Sequence, residues 1–288
     1  MIFKESSIKN QENLTFHVNE WLPETKTSGL IFLLHGLADH GGRFRHVGEA
    51  FANEGFAFYA PDLRGNGLSG GKRGHFDSYE QVMDDIAFLF RQSCEEHPDI
   101  PAIIYGQSMG GNLALNFCIR RKPAISGVIA SSPWLRLTKA PNLVARIIGS
   151  TLGHFLPTLS FSNGLDADDL THDPVISNAY RNDPLVHGRI TLNTFKVISH
   201  SGEWALRNAG KLGFPLLLLH GTADRITSYE ASKQFAQSCH DNCTFITRQG
   251  LYHELHNEFG NREILKEMID WTKTIIKKKD ENQPIPNK

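Results

Sequence analysis

The sequence is poor in cysteine, in long apolar runs and in excess charge of either sign, and each shortage excludes a class of protein. Its four cysteines in 288 residues form no Cys-x-x-Cys pair, so we expect free thiols rather than a disulfide framework. No apolar stretch approaches the roughly 18 residues of a membrane-spanning helix. A formal net charge of -1 provides no field that would attract nucleic acid.

The two terminal stretches are charged. Met1 to Glu5 contains charged residues and no apolar signal-peptide core, so we expect a cytoplasmic protein. Lys277 to Lys288 is rich in Lys, Pro and Asn, which predicts a disordered tail. With 40% hydrophobic residues, the chain can build one large α/β domain or a domain with an insertion.

Short apolar runs alternate with amphipathic segments along most of the chain, which predicts an α/β fold. Two strands are expected within the first thirty residues. The later strands are apolar on both faces, so a mostly parallel sheet flanked by helices on both sides is predicted. Strands are predicted at 30–35, 57–60, 102–106, 127–131, 216–220 and 243–247, and helices at 44–54, 78–97, 108–121, 228–238 and 262–278.

Between Trp134 and Leu212 this alternation stops. The segment is too long for a crossover, and the apolar spacing from Pro141 to Leu159 is helical. We expect an inserted cap over the carboxyl ends of the strands, where open α/β sheets bind ligands. Its apolar face either packs on the core or, in part, lines an acyl tunnel or touches lipid. The predicted organisation is a discontinuous core of 1–133 and 213–276, a helical cap of 134–212 and a disordered tail of 277–288.

Residues 106–110 read Gly-Gln-Ser-Met-Gly and directly follow the apolar run at 102–105. Gly-x-Ser-x-Gly between a strand and a helix is typical of a nucleophile elbow, a sharp turn that projects the serine hydroxyl from the sheet. The alternative is an ordinary tight turn that needs glycine and a small polar residue. The flanking strand and helix favour Ser108 as a catalytic nucleophile.

A nucleophilic serine needs a base, and in this arrangement an acid and then a histidine follow it along the chain. Asp224 lies just past the predicted strand 216–220, where active-site groups gather. It could instead cap a helix, but the next helix begins only near Ser228. Asp241 and Glu254 are rival acids, and Asp241 falls at a turn expected at the opposite end of the sheet. Asp224 is the favoured acid.

Three histidines follow the serine and a credible acid. His240 is expected at the wrong end of the sheet, whereas His253 and His256 both lie in the loop after the last strand. Spacing alone favours His253 only slightly over His256. In either case the imidazole would deprotonate Ser108, and Asp224 would hold the imidazole in the correct tautomer.

The oxyanion hole is expected to consist of two backbone N–H groups. One belongs to Met109, which follows the serine. The other is expected from Leu37, because a strand ends nearby in His-Gly and the glycines of 35–42 let amides turn inward. Three further histidines are interpreted as structural braces of their loops: His35, His40 and His220.

No motif in the chain requires a cofactor or a metal. The stretch 62–69 contains Gly-x-Gly without a third glycine in register, so it fails as a dinucleotide fingerprint and is interpreted as a supporting loop. Cys239 and Cys243 flank His240, but no second group of ligands is near. We therefore expect no cofactor, no metal and no nucleic-acid partner.

Six stretches together resemble the α/β-hydrolase superfamily, and more narrowly its monoacylglycerol lipase and lysophospholipase branch. The resemblance implies the α/β-hydrolase fold with a helical cap and a triad of Ser108, Asp224 and His253, since the first histidine of Tyr-His-x-x-His-x-Glu is the base in that family. It implies a serine esterase that hydrolyses esters of single-chain lipids such as monoacylglycerols. The stretches are 35–44, 62–69, 106–111, 182–186, 220–224 and 252–258.

The chain also departs from the family pattern. Gln107 stands where these enzymes usually carry His, Asn66 where they carry His or an aromatic residue, and Asp39 where Glu is common. Alternatives to the lipase are a general carboxylesterase, a lysophospholipase, a serine aminopeptidase or a binding protein with a retired pocket. The only membrane contact expected is a transient one through the cap. An aminopeptidase would need acidic residues that converge under the cap, and the candidates are Asp166, Asp168, Asp169 and Asp173.

Overall fold

A computed structural model describes residues 1–139, 156–239 and 242–282 of the chain. The described strands are β1 (Ile2–Lys9), β2 (Thr15–Leu22), β3 (Gly29–Leu34), β4 (Phe56–Pro61), β5 (Ala102–Gln107), β6 (Gly127–Ser131), β7 (Ser160–Ser162), β8 (Arg189–Thr191), β9 (Leu216–Gly221) and β10 (Cys243–Arg248). The described helices are α1 (Arg45–Asn53), α2 (Tyr79–Glu96), α3 (Met109–Arg121), α4 (Pro174–Asn182), α5 (Leu192–Asn208), α6 (Tyr229–Ser238) and α7 (Asn261–Asn282).

Eight of these strands form one sheet in the order β1-β2-β4-β3-β5-β6-β9-β10. The β1–β2 and β2–β4 pairs are antiparallel, and every pair from β4 to β10 is parallel. This confirms the predicted α/β class with a mostly parallel sheet. The carboxyl ends of β3, β5, β6, β9 and β10 therefore meet at one edge, and the loops that follow them carry the predicted site residues.

Strand β3 illustrates why the sequence forms a buried central strand. Alternate side chains of a strand point to opposite faces. Leu30 and Phe32 pack in one hydrophobic core, which α2 and α3 also line, whereas Ile31 and Leu33 pack in a second core, lined by α1 and α7. Both faces are thus covered. Full burial of each such side chain contributes about 1.5–3 kcal/mol to folding.

Two predictions about the periphery need correction. The insertion is not wholly helical, since β7 and β8 form a two-stranded antiparallel sheet in which Ser160 pairs with Thr191. Strands of three residues are too short for an alternation of apolar and polar residues to reveal them. The predicted disordered tail begins too early, because α7 continues to Asn282 on Lys and Glu residues that favour helix.

Other predictions about the periphery concern residues that the structure does not describe or describes only in part. Most of the predicted cap helix, up to residue 155, lies outside the described residues, as do His240, Asp241 and residues 283–288. No helix in the described part of the chain is long and apolar enough to cross a membrane.

Candidate active site

Ser108 lies at the turn between β5 and α3 in a strained backbone conformation, with φ 56° and ψ -118°. Non-glycine residues rarely adopt this region, and such strain is concentrated at functional sites. Backbone hydrogen bonds hold the turn: the Ser108 N–H donates to the Ser131 carbonyl over 2.9 Å, and the Trp134 N–H donates to the Ser108 carbonyl over 2.9 Å. The end of β6 and the loop after it thereby hold Ser108, which is 7% exposed.

The glycines of the motif are required by close backbone contacts. A Cβ atom on Gly106 would lie 2.3 Å from the Gly110 carbonyl oxygen, and one on Gly110 would lie 1.8 Å from the Leu34 carbonyl oxygen. Neither neighbour can move, because both are main-chain atoms inside the fold. The Gly-x-Ser-x-Gly pattern is thus explained by how closely β3, β5 and α3 approach one another.

Asp224 and His253 form a direct hydrogen bond at the edge of the sheet. His253 Nδ1 donates to Asp224 Oδ2 over 2.7 Å, and both side chains are buried. The other carboxylate oxygen, Oδ1, accepts the N–H groups of Ile226 and Thr227 at 2.8 and 2.9 Å. Because Nδ1 carries the proton, the neutral imidazole has its lone pair on Nε2, as a general base requires.

Two further side chains hold the Asp224 carboxylate. His220 Nε2 donates to Asp224 Oδ2 over 3.1 Å, while His220 Nδ1 accepts the hydroxyl of Ser232 over 2.7 Å. Thr227 Oγ1 lies 2.9 Å from Asp224 Oδ2 and 3.0 Å from the Ser132 carbonyl oxygen. Thr227 therefore ties the acid to the loop after β6, the same loop that fixes Ser108.

Among the described residues no hydrogen bond joins the Ser108 hydroxyl to His253. Catalytic hydrogen bonds are often long before substrate binds and tighten only in the complex, so this does not exclude the pair. Strand β6 lies between β5 and β9 in the sheet. Its end at Ser131 and the following Ser132 therefore connect Ser108, after β5, with the Asp224 loop, after β9.

The pKa values of Asp224 and His253 are set by their burial and by the attraction between their charges. Burial alone would raise the pKa of Asp224, but the charge of His253 and the hydrogen bonds from His220 and His253 outweigh it and hold the pKa well below its usual range. Burial would lower the pKa of His253, but the nearby Asp224 carboxylate outweighs it and raises the pKa. Asp224 thus stays ionised, and His253 binds a proton more readily than an ordinary histidine.

The loop after β3 lies against the elbow. A Cβ atom on Gly36 would be 3.5 Å from Ser108 Cβ, and Ala38 adopts a left-handed conformation with φ 60°. The Leu37 N–H lies between these two residues, and the Met109 N–H is the first of α3. Within the described part of the chain, neither N–H takes part in a hydrogen bond.

The structure also distinguishes His253 from His256, and Asp224 from the rival acid Glu254. His256 stacks on the Phe44 ring at a centroid distance of 4.6 Å, and burial lowers its pKa to about 3. Glu254 binds Arg43 through two hydrogen bonds of 3.0 and 2.9 Å rather than either histidine. Burial would raise the pKa of Glu254, but the Arg43 guanidinium outweighs it and lowers the pKa to about 2. Of these groups, only His253 contacts Asp224.

The histidines interpreted as braces do hold loops. His35 Nδ1 donates to the Gly36 carbonyl over 2.8 Å, and its Nε2 accepts the Leu63 N–H over 2.9 Å. His40 Nε2 lies 3.0 Å from Asp183 Oδ2 in the insertion. His220 braces Asp224 itself.

The loop 62–69 supports the site as predicted. Asp62 Oδ1 accepts the Gly41 N–H over 2.7 Å, and its Oδ2 accepts the Leu68 N–H over 2.8 Å, which ties this loop to the one after β3. Asn66 Oδ1 lies 3.0 Å from His187 Nε2 in the insertion. Gln107 is buried against Gly36 beside Ser108. Of the three departures from the family pattern, Gln107 thus lies beside Ser108, Asn66 contacts the insertion, and Asp39 pairs with Arg43 over 3.0 Å.

Comparison with known proteins decides the family. Residues 25–260 match the family described as serine aminopeptidase, S33. The chain belongs to this hydrolase family. An uncharacterized abhydrolase domain-containing protein of Dictyostelium discoideum is 33% identical over 98% of this chain, which spans 30% of that protein's length. A monoacylglycerol lipase of Mycolicibacterium smegmatis is 32% identical over 87% of this chain and 90% of its own length.

A solved structure supports the same assignment. The monoacylglycerol lipase of Paleococcus ferrophilus is 31% identical and matches with a TM-score of 0.79 over 96% of this chain and 99% of that one. The α/β-hydrolase fold predicted from the sequence is thereby confirmed.

The roles of three residues around the site could not be predicted from the sequence. Thr227 precedes a helix cap, where a hydroxyl residue has a local explanation. Arg43 is one of many basic residues, and nothing in its neighbourhood reveals that its partner is Glu254, 211 positions later. Glu258 belongs to the Tyr-His-x-x-His-x-Glu stretch, but two of its three partners, Thr171 and His172, lie in the insertion.

Proposed function

We propose that this protein is a serine esterase that hydrolyses monoacylglycerols and related single-chain lipid esters. The observation that carries the proposal is the buried His253–Asp224 hydrogen bond of 2.7 Å beside a strained Ser108 elbow. Relatives at 32% and 31% identity that are named monoacylglycerol lipases support the substrate class.

The proposed reaction proceeds in two halves. His253 Nε2 removes the Ser108 proton as Oγ attacks the ester carbonyl, and the N–H groups of Leu37 and Met109 stabilise the resulting oxyanion. The imidazolium, stabilised by Asp224, then protonates the leaving glycerol oxygen as the acyl C–O bond breaks. A water molecule, deprotonated by the same imidazole, attacks the acyl-enzyme and releases the fatty acid. Ser108 recovers its proton at the end.

A serine aminopeptidase is the second candidate, since that is the printed description of the family. Recognition of a free amine calls for carboxylates that are not already engaged. Asp168 and Asp169 instead pair with Arg181 and Arg225 over 2.5 and 3.0 Å. Asp173 accepts the Val175 N–H at the start of α4. These contacts favour an esterase over an aminopeptidase that recognises a free amine.

Rates on two substrate classes distinguish the candidates. Purified protein is assayed with a long-chain monoacylglycerol, the matching lysophospholipid and an aminoacyl anilide, with Ser108→Ala as the control. We expect the monoacylglycerol to be hydrolysed fastest and the substitution to abolish turnover together with fluorophosphonate labelling. Faster cleavage of the anilide would favour the aminopeptidase, and labelling that persists in Ser108→Ala would reject the nucleophile.

We also propose that the insertion contacts lipid surfaces transiently. Three apolar side chains within its residues 156–161 are exposed, and two of them line a surface depression of about 690 Å³ together with three cationic side chains. Apolar and cationic groups together suit an anionic lipid surface. Co-sedimentation with vesicles tests this, and binding that is equal for anionic and neutral vesicles would contradict it. The side chains are Leu156, Leu159 and Phe161, with Lys72, Arg73 and Arg189.

A further inference from the structure

One short stretch of the insertion, residues 169–172, contacts the loops that carry both Asp224 and His253. The Leu170 carbonyl accepts the Glu254 N–H over 2.7 Å, directly after His253. Asp169 pairs with Arg225, directly after Asp224, over 3.0 Å. The proposed acid and base therefore share a support that lies outside the sheet.

Glu258 is the centre of this support. Its Oε1 accepts the Tyr252 N–H over 2.7 Å and lies 2.9 Å from His172 Nδ1. Its Oε2 accepts the His172 N–H over 3.1 Å and lies 3.3 Å from Thr171 Oγ1. The side chain is 1% exposed. One buried carboxylate thus joins two residues of the insertion to the residue that precedes His253.

Backbone contacts on both sides of His253 complete the arrangement. Tyr252 is held through Glu258, and Glu254 is held through the Leu170 carbonyl. Thr171 Oγ1 also donates to the Asn257 carbonyl over 2.8 Å. The main chain that carries the imidazole is therefore fixed before and after His253 by the same segment of the insertion.

Aromatic stacking adds to these hydrogen bonds. The His172 ring lies on the Tyr252 ring at a centroid distance of 3.7 Å, and Arg225 lies 4.5 Å from the centre of that ring while donating to its hydroxyl over 2.7 Å. The Arg225 side chain is half exposed, so its ion pair with Asp169 contributes little by itself. The buried Glu258 carboxylate is the strongest link.

We propose that Glu258 is a positioning residue for the reaction, which sets the orientation of His253 and couples it to the insertion. This inference rests on the proposed roles of Ser108, Asp224 and His253. Glu258 does not touch the reacting atoms. It acts because a misplacement of about 1 Å in a catalytic group can cost about 100-fold in rate.

Glu258→Gln is the sharpest probe because it keeps the size of the side chain. Each carboxylate oxygen accepts a backbone N–H, and an amide replaces one of these oxygens with an NH₂ group that cannot accept it. Glu20→Gln is the matched control. Glu20 is equally buried and accepts a hydrogen bond of 2.5 Å from His97 Nε2, but it lies on β2, far from the catalytic edge.

Three quantities are measured on both variants: kcat and KM for a monoacylglycerol, the unfolding temperature, and the far-downfield proton resonance of His253 Nδ1–H. For Glu258→Gln we expect kcat to fall about 10- to 100-fold with KM changed less than about threefold. We also expect the resonance to shift or broaden. For Glu20→Gln we expect kcat and the resonance to stay unchanged even if the unfolding temperature falls.

Two outcomes separate the inference from the function on which it rests. If Glu258→Gln keeps the wild-type kcat and resonance while Ser108→Ala is inactive, the triad stands and Glu258 is only structural. If Ser108→Ala keeps activity, the proposed function itself fails. His172→Phe, which keeps the stacking on Tyr252 but loses the Nδ1 hydrogen bond, is expected to lower kcat less than Glu258→Gln.

Discussion

His253 donates its Nδ1 proton to Asp224 Oδ2 over 2.7 Å, in a region from which solvent is almost excluded. This hydrogen bond fixes the tautomer of the imidazole and leaves Nε2 free to accept a proton. Because Asp224 also accepts hydrogen bonds from His220 and two backbone N–H groups, its charge stays in place when His253 becomes an imidazolium.

Asp224→Asn should lower kcat by about 10³- to 10⁴-fold with little change in fold, because an amide no longer fixes the tautomer or stabilises the imidazolium. Steady-state rates on a soluble ester measure the effect. Asp241→Asn, at the rival position, serves as the control and should retain the wild-type rate. Comparable losses in both variants would mean that Asp224 is not the specific partner.

The pH profile of kcat/KM should have an acid limb set by His253. Activity needs the neutral imidazole, so it falls as pH drops through the pKa of His253, which Asp224 raises above the usual histidine range despite burial. Removal of the carboxylate in Asp224→Asn should move the residual acid limb to lower pH. An acid limb that stays at the same pH in this variant would show that a group other than His253 sets it.

Thr227→Val should lower kcat about tenfold and stability by about 1–2 kcal/mol, because Asp224 and the Ser132 carbonyl both lose the hydroxyl that lies between them. Rate measurements and urea unfolding give the two values. Thr227→Ser, which keeps the hydroxyl, should stay close to wild type. If Thr227→Val is as active as Thr227→Ser, the Thr227 hydroxyl has no role in the reaction.

Arg43→Met should destabilise the fold by about 3–5 kcal/mol, because it leaves the buried carboxylates of Asp39 and Glu254 without their cation. Arg45→Met is the matched control. The ion pair between Arg45 and Glu49 is exposed, so its loss should lower the free energy of unfolding by less than about 1 kcal/mol. Denaturant titration compares the two. Equal losses of unfolding free energy in the two variants would show that Asp39 and Glu254 do not need the positive charge of Arg43.

Gly110→Ala should cost about 3 kcal/mol or prevent folding, since its Cβ would meet the Leu34 carbonyl oxygen at 1.8 Å. Gly188→Ala adds the same methyl group where nothing lies within 4 Å and should be neutral. Thermal unfolding of both variants measures this difference in stability. A stable and active Gly110→Ala would contradict the packing described for the elbow.

Much of the core could be predicted from the sequence because its signals are local. Buried strands are continuous apolar runs, and the Gly-x-Ser-x-Gly turn needs glycines wherever strand and helix approach closely. The order of serine, acid and histidine narrows the choice of partners further. Spacing alone could not separate His253 from His256, because the two differ in what their side chains meet. His253 meets Asp224, and His256 meets Phe44.

The supports of the site could not be predicted because they join distant parts of the chain. Arg43 and Glu254 are 211 positions apart, and Glu258 meets His172 at a separation of 86. No local pattern distinguishes such partners from ordinary surface charges. The roles of Ser108, Asp224, His253, Leu37 and Met109, and the division into core and insertion, stay predictions until variants are assayed.

The central claim is that Ser108 acts on long-chain lipid esters, and the dependence of kcat/KM on acyl length tests it most directly. Each buried methylene contributes about 0.8 kcal/mol, so a lipid-binding esterase should gain up to about fourfold per methylene until its acyl site is filled. We predict a steep rise toward long monoacylglycerols that Ser108→Ala abolishes. A flat profile, or one in which short esters are hydrolysed fastest, would contradict the lipase and leave a general carboxylesterase.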